Sequence, residues 1–381
     1  MAGARRRRIT RAAMVLAIAL PLSACAASPA SSHLDLRSAG CPDDIRIQTD
    51  AMPRVELGFL YGLLDPHHYE LGAHEVSGPL VFEGRATGVR LTILTGDATD
   101  GVSGNVALYD DPSLLLAAVD TDQAMVDSVR YPTVGVFAPL AKDPRIIYWD
   151  ANVYPKVSSI GGLGATLTPD GSTVVPVVAA EPTLFDDYLL GKKLLRADQV
   201  TVGPVSLATF ARANGISAQQ GDALIDPYVF AQPDAYPDTI RSQFADDVGY
   251  TRDAGVLSAR RQTIVRYADC LRELVPLFQR SLIGYVTSPD ATTALIVDLA
   301  AAYGDDTYPT DVAVQAATRL STEHFVGNGR DDTVGDLDIG RVRGLIDDAR
   351  PLLIKAGVDV PSRVQPDDFV TNEFIDRSIG F

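Results

Sequence analysis

Cysteine, tryptophan and basic residues are all scarce in this 381-residue chain, which has three cysteines and one tryptophan. Lysine and arginine together number 33 against 49 acidic residues, so the formal net charge is −16. Five of the arginines fall within the first 11 residues, which makes the remainder of the chain still more acidic. Proteins that neutralise nucleic-acid phosphates need a basic surface, and no basic patch is visible. We therefore expect no nucleic-acid partner.

Recognisable catalytic and metal-binding motifs are also missing. The chain has no Gly-x-Ser-x-Gly elbow and no Ser-x-x-Lys pair. The glycine-rich run 161–164 lacks the spacing of a nucleotide-binding loop. His67, His68 and His74 cluster, but no cysteine or carboxylate completes a recognisable zinc or manganese ligand set. We therefore expect a protein that is not an enzyme and that holds neither a metal nor a cofactor.

The first 25 residues have the pattern of a bacterial lipoprotein signal. The apolar run 12–22 follows the arginines, is too short to span a bilayer and ends at Leu22-Ser23-Ala24-Cys25. This order predicts a signal peptide over residues 1–24. It also predicts a lipidated Cys25 that holds the exported protein on the extracytoplasmic face of the membrane, with a tether over 25–42. A plain N-terminal anchor with a chance cysteine is the alternative.

Two cysteines remain if Cys25 carries lipid. An even number of cysteines in an oxidising compartment favours a disulfide between Cys41 and Cys270. Such a bond would join the N-terminal part of the folded chain to a predicted helix more than 200 positions later. Two buried free thiols are the alternative.

Hydrophobic patterning predicts strands in the first half of the chain and helices in its last third. The predicted strands are 45–49, 89–93, 114–119, 134–137, 146–149 and 174–178. The predicted helices are 57–64, 264–278 with a kink or an end at Pro276, 291–303, and a segment within 337–353. Strands that alternate with helices, followed by a helical tail, predict an α/β protein with open sheets.

Polar residues follow several of these predicted strands. They are Thr49-Asp50, Thr121-Asp122, Glu181-Pro182-Thr183 and Asp226-Pro227-Tyr228. Each group can equally be a helix cap or a turn. Ligands of open α/β sheets bind beyond the carboxyl ends of the strands, so the four groups together predict the walls of a cleft.

These segments belong to a longer series of short motifs that resembles a known family. The series includes Ile45-Arg46-Ile47-Gln48-Thr49-Asp50, Gly78-Pro79-Leu80, Ala138-Pro139-Leu140, Tyr148-Trp149-Asp150, Gln219-Gln220-Gly221, Cys270-Leu271, and Thr371-Asn372-Glu373-Phe374-Ile375-Asp376. In this order they resemble the extracytoplasmic substrate-binding lipoproteins of bacterial ABC importers. The branch they resemble binds nitrate, alkanesulfonates, taurine and thiamine-pyrimidine precursors.

The resemblance implies a two-lobed periplasmic-binding-protein-like (type II) fold. Two open sheets would have helices on both faces and be joined by two crossover strands. Lobe 1 would comprise 43–137 and 243–381, including C-terminal helices, and lobe 2 would comprise 138–242. The resemblance also implies a monomer that closes on a small-molecule ligand and docks onto a membrane permease, with a separate ATPase that powers import.

The chain departs from the family at positions expected to contact the ligand. The departures are Ala51 in place of tryptophan, Leu57 in place of histidine, Asp97 in place of glycine, Asp226 in place of glutamate, and Ala179-Ala180-Glu181 in place of small glycines. They indicate a retained scaffold with a rewritten pocket. Glu181 near a helix N-terminus would repel an anion, which favours a neutral or cationic ligand.

Eight residues are the predicted ligand-binding set: Asp50, Glu56, Tyr61, Thr121, Asp122, Glu181, Asp226 and Tyr228. Their carboxylates would accept hydrogen bonds from the ligand, and their tyrosines would stack on it or cover it. One alternative function is a sensing or structural lipoprotein that has lost binding. A less favoured one is an enzyme on the same fold, with Asp50 and Asp226 as an acid–base pair.

Overall fold

The computed structural model describes residues 34–49, 52–95, 102–232, 235–236, 239–305, 308–329 and 331–381. The predicted signal peptide, the lipidation site Cys25, the predicted ligand-binding Asp50, and the substituted positions Ala51 and Asp97 lie outside these residues.

Twelve strands are present in the described part of the chain. They are β1 (Asp44–Gln48), β2 (Glu70–Leu71), β3 (Glu75–Phe82), β4 (Arg85–Leu94), β5 (Leu116–Val119), β6 (Val134–Phe137), β7 (Arg145–Asp150), β8 (Val177–Ala179), β9 (Val200–Val202), β10 (Ala218–Asp222), β11 (Ile240–Phe244) and β12 (Val256–Ala259). Each of the six predicted strand segments overlaps one of them. The overlap is poorest for 174–178, which shares only residues 177 and 178 with β8, and 89–93 is the second half of the longer β4.

The strands form two mixed sheets. The seven-stranded sheet has the order β2-β3-β4-β1-β5-β12-β6, in which β1 is parallel to both β4 and β5 and β12 is antiparallel to its neighbours. The five-stranded sheet has the order β11-β7-β10-β8-β9, in which β8 is parallel to β9 and β10. The chain passes between the sheets twice, through residues 138–144 after β6 and through residues 245–255 after β11.

Helices surround the sheets and make up much of the chain beyond residue 260. They are α1 (Gly58–Tyr61), α2 (Gly104–Asp110), α3 (Thr121–Val126), α4 (Ile160–Gly164), α5 (Leu184–Gly191), α6 (Leu207–Arg212), α7 (Asp226–Phe230), α8 (Arg261–Arg266), α9 (Ala268–Thr287), α10 (Asp290–Ala302), α11 (Thr310–Thr322) and α12 (Ile339–Lys355). None of the helices in the described ranges combines the length and the apolar character needed to cross a bilayer.

The β3–β4 hairpin was not predicted as such, because the sequence pattern indicated only residues 89–93. Its two-residue turn is formed by Glu83 and Gly84, with φ values of 50° and 72°. Two consecutive positive φ values are typical of the mirror-image turns that match the twist of a hairpin. Glutamate is uncommon at the first of these positions, so the turn lacked the usual Asn-Gly or Asp-Gly signal.

The helix does not end at Pro276, which was one of the two outcomes predicted there. Helix α9 continues through Pro276 to Thr287, and the break falls at Tyr267, between α8 and α9. Proline removes the hydrogen bond to the carbonyl four residues earlier, which belongs to Arg272. Arg272 is exposed, so water can replace that bond, and the apolar stripe of α9 keeps the helix packed.

Helix α12 packs against helices that follow strands of both sheets. Its side chains Leu345, Ile346 and Ala349 share one apolar cluster with Phe185 and Leu189 of α5. It also packs against α3, which follows β5 of the seven-stranded sheet. The C-terminal helix therefore bridges the two halves of the molecule, instead of packing on the seven-stranded half alone.

A disulfide joins Cys41 to Cys270 of α9, with the Cα atoms 4.7 Å apart, which is the pairing expected from the sequence. Part of the expected tether is folded next to it. Leu36 is fully buried, and its backbone N–H donates to the carbonyl of Thr87 in β4 at 2.9 Å. The folded chain therefore starts before β1 and is bonded covalently to the helical tail.

Replacing Cys270 with serine should lower the free energy of unfolding by about 2–4 kcal/mol, because the bond closes a long loop in the unfolded chain. The cysteines are 229 positions apart. Urea denaturation of the oxidised protein measures the change. Cys41→Ser is the matched control and should cost the same, and the double variant should cost no more than either single one. Additive losses in the double variant would contradict the pairing.

Candidate functional site

A cavity of about 170 Å³ lies where the two connections between the sheets meet the end of β1 and the start of α1. Its lining residues are Thr49, Met52, Arg54, Glu56, Leu57, Tyr61, Asp120, Pro139, Leu140, Pro144, Arg252, Ala254 and Gly255. Two predicted ligand-binding residues, Glu56 and Tyr61, are among them. Pockets for drug-sized ligands usually have volumes of roughly 300–1,000 Å³, so this cavity suits a smaller molecule.

The turn that carries Glu56 is fixed by its neighbours. Val55 and Leu57 are buried on either side of Glu56 in a single turn of 3₁₀ helix. Gly58 follows, and a Cβ atom there would lie 2.2 Å from Cζ of Tyr285 in α9. Only glycine allows this close approach, and the approach directs the turn and its glutamate towards the cavity.

Glu56 has an unmatched carboxylate oxygen. Its Oε2 atom is buried and has no hydrogen-bond partner among the described residues. Burial raises the pKa of Glu56 above its usual value, although the charge of Arg54 acts in the opposite direction. A buried acceptor without a donor is costly unless something else supplies the donor, so Glu56 is the best-placed residue to contact a ligand.

Arg54 lines the same cavity, but its guanidinium group already has partners. Its Nη2 atom lies 2.6 Å from Oδ2 of Asp305, and the guanidinium carbon lies 4.4 Å from the ring centroid of Tyr308. An ion pair and a cation–π contact together hold the group in place.

Arg252 is the centre of a buried ion-pair network. Its Nε and Nη2 atoms donate to the two carboxylate oxygens of Asp143, at 2.8 and 3.1 Å, and its Nη1 atom donates to Asp120. The backbone N–H of Gly255 also donates to Asp120, at 2.8 Å. Burial acts to raise the pKa of Asp143, but the neighbouring Arg252 holds it below its usual value. Asp143 and Asp120 therefore already receive hydrogen bonds from within the protein.

Thr121 and Asp122, two predicted ligand-binding residues, lie behind this network and not in the lining of the cavity. Asp122 accepts a hydrogen bond from the Tyr250 hydroxyl at 2.6 Å and lies 3.8 Å from Nη1 of Arg252. The hydroxyl of Thr121 accepts a hydrogen bond from the backbone N–H of Asp253 at 2.9 Å. Both side chains are buried, and both are bonded to the second connection between the sheets, residues 245–255.

Asp226 lines a separate cavity of about 250 Å³, together with Tyr148 and Phe230. Its Oδ2 atom accepts a hydrogen bond from the backbone N–H of Asp222 at 2.7 Å, and burial raises its pKa to about 6. The hydroxyl of Tyr228 donates to Asp311 of α11 at 3.1 Å. Tyr228 thus links the two halves of the molecule at the edge of the cleft.

Glu181 is exposed and lines none of the cavities found around the described cleft residues. It precedes Thr183, whose hydroxyl caps helix α5 by accepting from the backbone N–H of Asp186 at 3.3 Å. Thr183 and Asp186 together form the capping box of this helix. We expected the charge of Glu181 to favour a neutral or cationic ligand. Its position outside these cavities gives that expectation no support.

Several residues at the site were missed by sequence reasoning. Asp222 ends β10. Its burial, and to a smaller extent the nearby charge of Glu56, raise the pKa of its carboxyl group well above the usual value. Its position at a strand end was a signal that could have been used. Arg252 and Asp143 are 109 positions apart, and no sequence spacing indicates that they pair.

A larger cavity, of about 610 Å³, opens elsewhere, between residues 138–141 and the loop 324–338. Its wall includes Asp253, Asp336 and Arg341. It contains none of the predicted ligand-binding residues, so its volume alone does not make it the better candidate.

Replacing Arg252 with methionine should destabilise the fold by about 3–5 kcal/mol, because it leaves buried carboxylates without their cation. Urea denaturation at neutral pH measures the loss. Arg196→Met is the control, since the Arg196–Asp198 pair is about 60% exposed and water screens it, so its loss should change stability little. Equal losses in the two variants would show that the network does not hold the connections.

Comparison with protein-family models finds no match, and comparison with curated proteins finds none either. Solved structures do match. The periplasmic aliphatic sulphonate binding protein SsuA from Escherichia coli aligns with a TM-score of 0.55 and 13% identity, over 87% of this chain and 92% of that one. The alkanesulfonate-binding protein SsuA from Xanthomonas axonopodis pv. citri, bound to MOPS, gives 0.51 and 14%, over 87% and 98%.

A third match comes from Candida albicans. The CA3427 gene product, described as having the generic periplasmic binding protein fold, aligns with a TM-score of 0.50 and 10% identity, over 88% of this chain and 98% of that one. At such identities the likeness concerns the fold. The two-sheet periplasmic-binding-protein fold expected from the sequence is confirmed.

Proposed function

We propose that this chain is the lipid-anchored substrate-binding protein of an ABC importer, and that it captures a small organic solute and delivers it to a membrane permease. The observation that carries the proposal is the cavity at Glu56. It combines a buried, unmatched acceptor with apolar walls, and it lies beside the two connections between the sheets. Binding pockets commonly have this composition.

The proposed lobes follow the two sheets. Lobe 1 comprises 43–137 and 243–381, which include β1–β6 and β12, and lobe 2 comprises 138–242, which include β7–β10 and the start of β11, with the boundary inside that strand. Ligand contacts from both lobes would favour the closed state over the open one. The 138–144 and 245–255 connections would absorb the movement as a hinge.

The proposed location is the extracytoplasmic face of the cell membrane, with a lipid on Cys25 as the anchor. The lipoprotein signal in the sequence supports this location, and so do the periplasmic binding proteins among the structural matches. The protein would act as a monomer, with the permease as its partner and without nucleic acid.

An enzyme on this fold has less support, because the described residues of the site offer no second free acid. Glu56 and Asp120 are the carboxylates that line the cavity, and Asp120 is held by Arg252 and Gly255. Asp226 lines a different cavity. A sensing lipoprotein without ligand binding is the other alternative, and a binding experiment separates it from the proposal.

A thermal-shift screen of the full exported chain should identify a ligand. A ligand at about 100 times its dissociation constant stabilises the folded state by about 2.7 kcal/mol, which gives a clear, saturable rise in melting temperature. Ala254→Trp should abolish the shift, because Ala254 is buried in the cavity wall and the indole fills the space. Ala301→Trp, on the exposed side of α10, is the control. A shift that survives Ala254→Trp would place the binding site elsewhere.

A further inference from the structure

We infer that the ligand of the Glu56 cavity is a small organic cation with an apolar body, whose ammonium-type group donates hydrogen bonds to the Glu56 carboxylate. The inference rests on the proposed function and names the chemical class of its substrate. It differs from what the sulfonate-binding structural matches bind, since a sulfonate is an anion.

The charge balance of the cavity favours a cation. Glu56 contributes a negative charge whose Oε2 atom is buried and receives no hydrogen bond from the described residues. An anionic ligand at the same place would add repulsion in a site that excludes water. A cationic donor would instead satisfy the acceptor and offset its charge in one contact.

The charges of both arginines in the cavity are already neutralised by carboxylates. Arg54 is paired with Asp305 at 2.6 Å and stacks on Tyr308. Arg252 is paired with Asp143 through two hydrogen bonds and with Asp120 through Nη1. A sulfonate bound to either guanidinium group would share its cation with a carboxylate already paired there, which weakens its attraction.

The opposite half of the fold presents a second carboxyl group near Glu56. Burial raises the pKa of Asp222 well above its usual value, and the nearby charge of Glu56 adds to this effect. The two carboxyl groups come from different halves of the fold, because Glu56 precedes α1 and Asp222 ends β10. A cation bound between them would favour the ionised form of both groups, attract both and so favour closure.

The walls favour an organic cation over a metal ion. Leu57, Pro139, Leu140 and Ala254 give the cavity an apolar surface, and the Tyr61 ring adds an aromatic one. A metal site needs several close carboxylate, histidine or cysteine ligands, and no group of three that could hold a metal occurs in the described ranges. Apolar walls beside the unmatched carboxylate of Glu56 instead match an alkylammonium ion.

The test is a calorimetric titration of the full exported chain with four compounds that share a four-carbon body: n-butylammonium, butyramide, butyrate and butanesulfonate. Putrescine, whose ammonium groups carry N–H donors, extends the cationic set. We expect the cations to bind most tightly, the amide more weakly and the two anions not at all. Glu56→Gln keeps the size of the side chain but removes its charge. It should weaken cation binding about ten- to a hundredfold, which is the range for losing a hydrogen bond to a charged group.

Glu181→Gln is the matched control, because Glu181 is exposed and outside the cavity, and it should leave cation binding unchanged. Preferential binding of butyrate or butanesulfonate would overturn the inference and leave the solute-binding function in place. Binding of no cation would also overturn it. If the anions, the amide and the wider solute screen fail as well, the proposed function falls with it.

A measurement without ligand checks the same carboxylate. Because burial raises the pKa of Glu56 in the folded protein, its ionised form destabilises the fold as pH rises above the usual value of 4.5. Glu56→Gln should therefore raise the melting temperature at pH 7.5, and the gain should shrink towards pH 4.5. Glu181→Gln should show no such profile. A Glu56→Gln variant that is less stable at every pH would indicate that Glu56 serves the fold and not a ligand.

Discussion

The contacts of Arg252 with Asp143 and Asp120 are the interaction on which the rest of the site depends. Arg252 lies on the second connection between the sheets, residues 245–255. Asp143 lies on the first connection, residues 138–144, and Asp120 directly follows β5. One guanidinium group thus joins both connections to the end of a central strand. The network fixes one wall of the cavity. It also neutralises the charge of Arg252, which would otherwise attract an anionic ligand.

Much of the fold could be predicted from the sequence because its signals are local. Strand β5 was recognised from a short, fully apolar run, and the helical tail from its apolar stripe. The sequence could not indicate that α12 would bridge two halves of the molecule, since its amphipathic pattern shows a buried face but not the partner of that face. A helix end at Pro276 was wrong for a related reason. The local cost of proline is real, but packing of the long helix outweighs it.

The site was predicted less well than the fold, because side chains from distant positions form it. Glu56 and Tyr61 were among the predicted ligand-binding residues, and both line the cavity. Thr121 and Asp122 were recognised by their place after a predicted strand, but their partners Asp253 and Tyr250 turn them into supports for the network. Glu181 proved to lie beside a helix cap. Hydrogen bonds to partners 132 and 128 positions away decided the outcome for Thr121 and Asp122, and no sequence pattern encodes such distant partners.

The most direct test of the account is a structure of the exported chain with the tightest-binding cation of the titration series. We expect the ammonium nitrogen to lie within about 2.7–3.2 Å of a Glu56 carboxylate oxygen, on the side that faces Asp222. Arg252 should remain on Asp143 and Asp120 as it does without ligand. A ligand held by Arg252 after release from Asp120, or one bound in the larger cavity beside Asp253 and Asp336, would contradict the account.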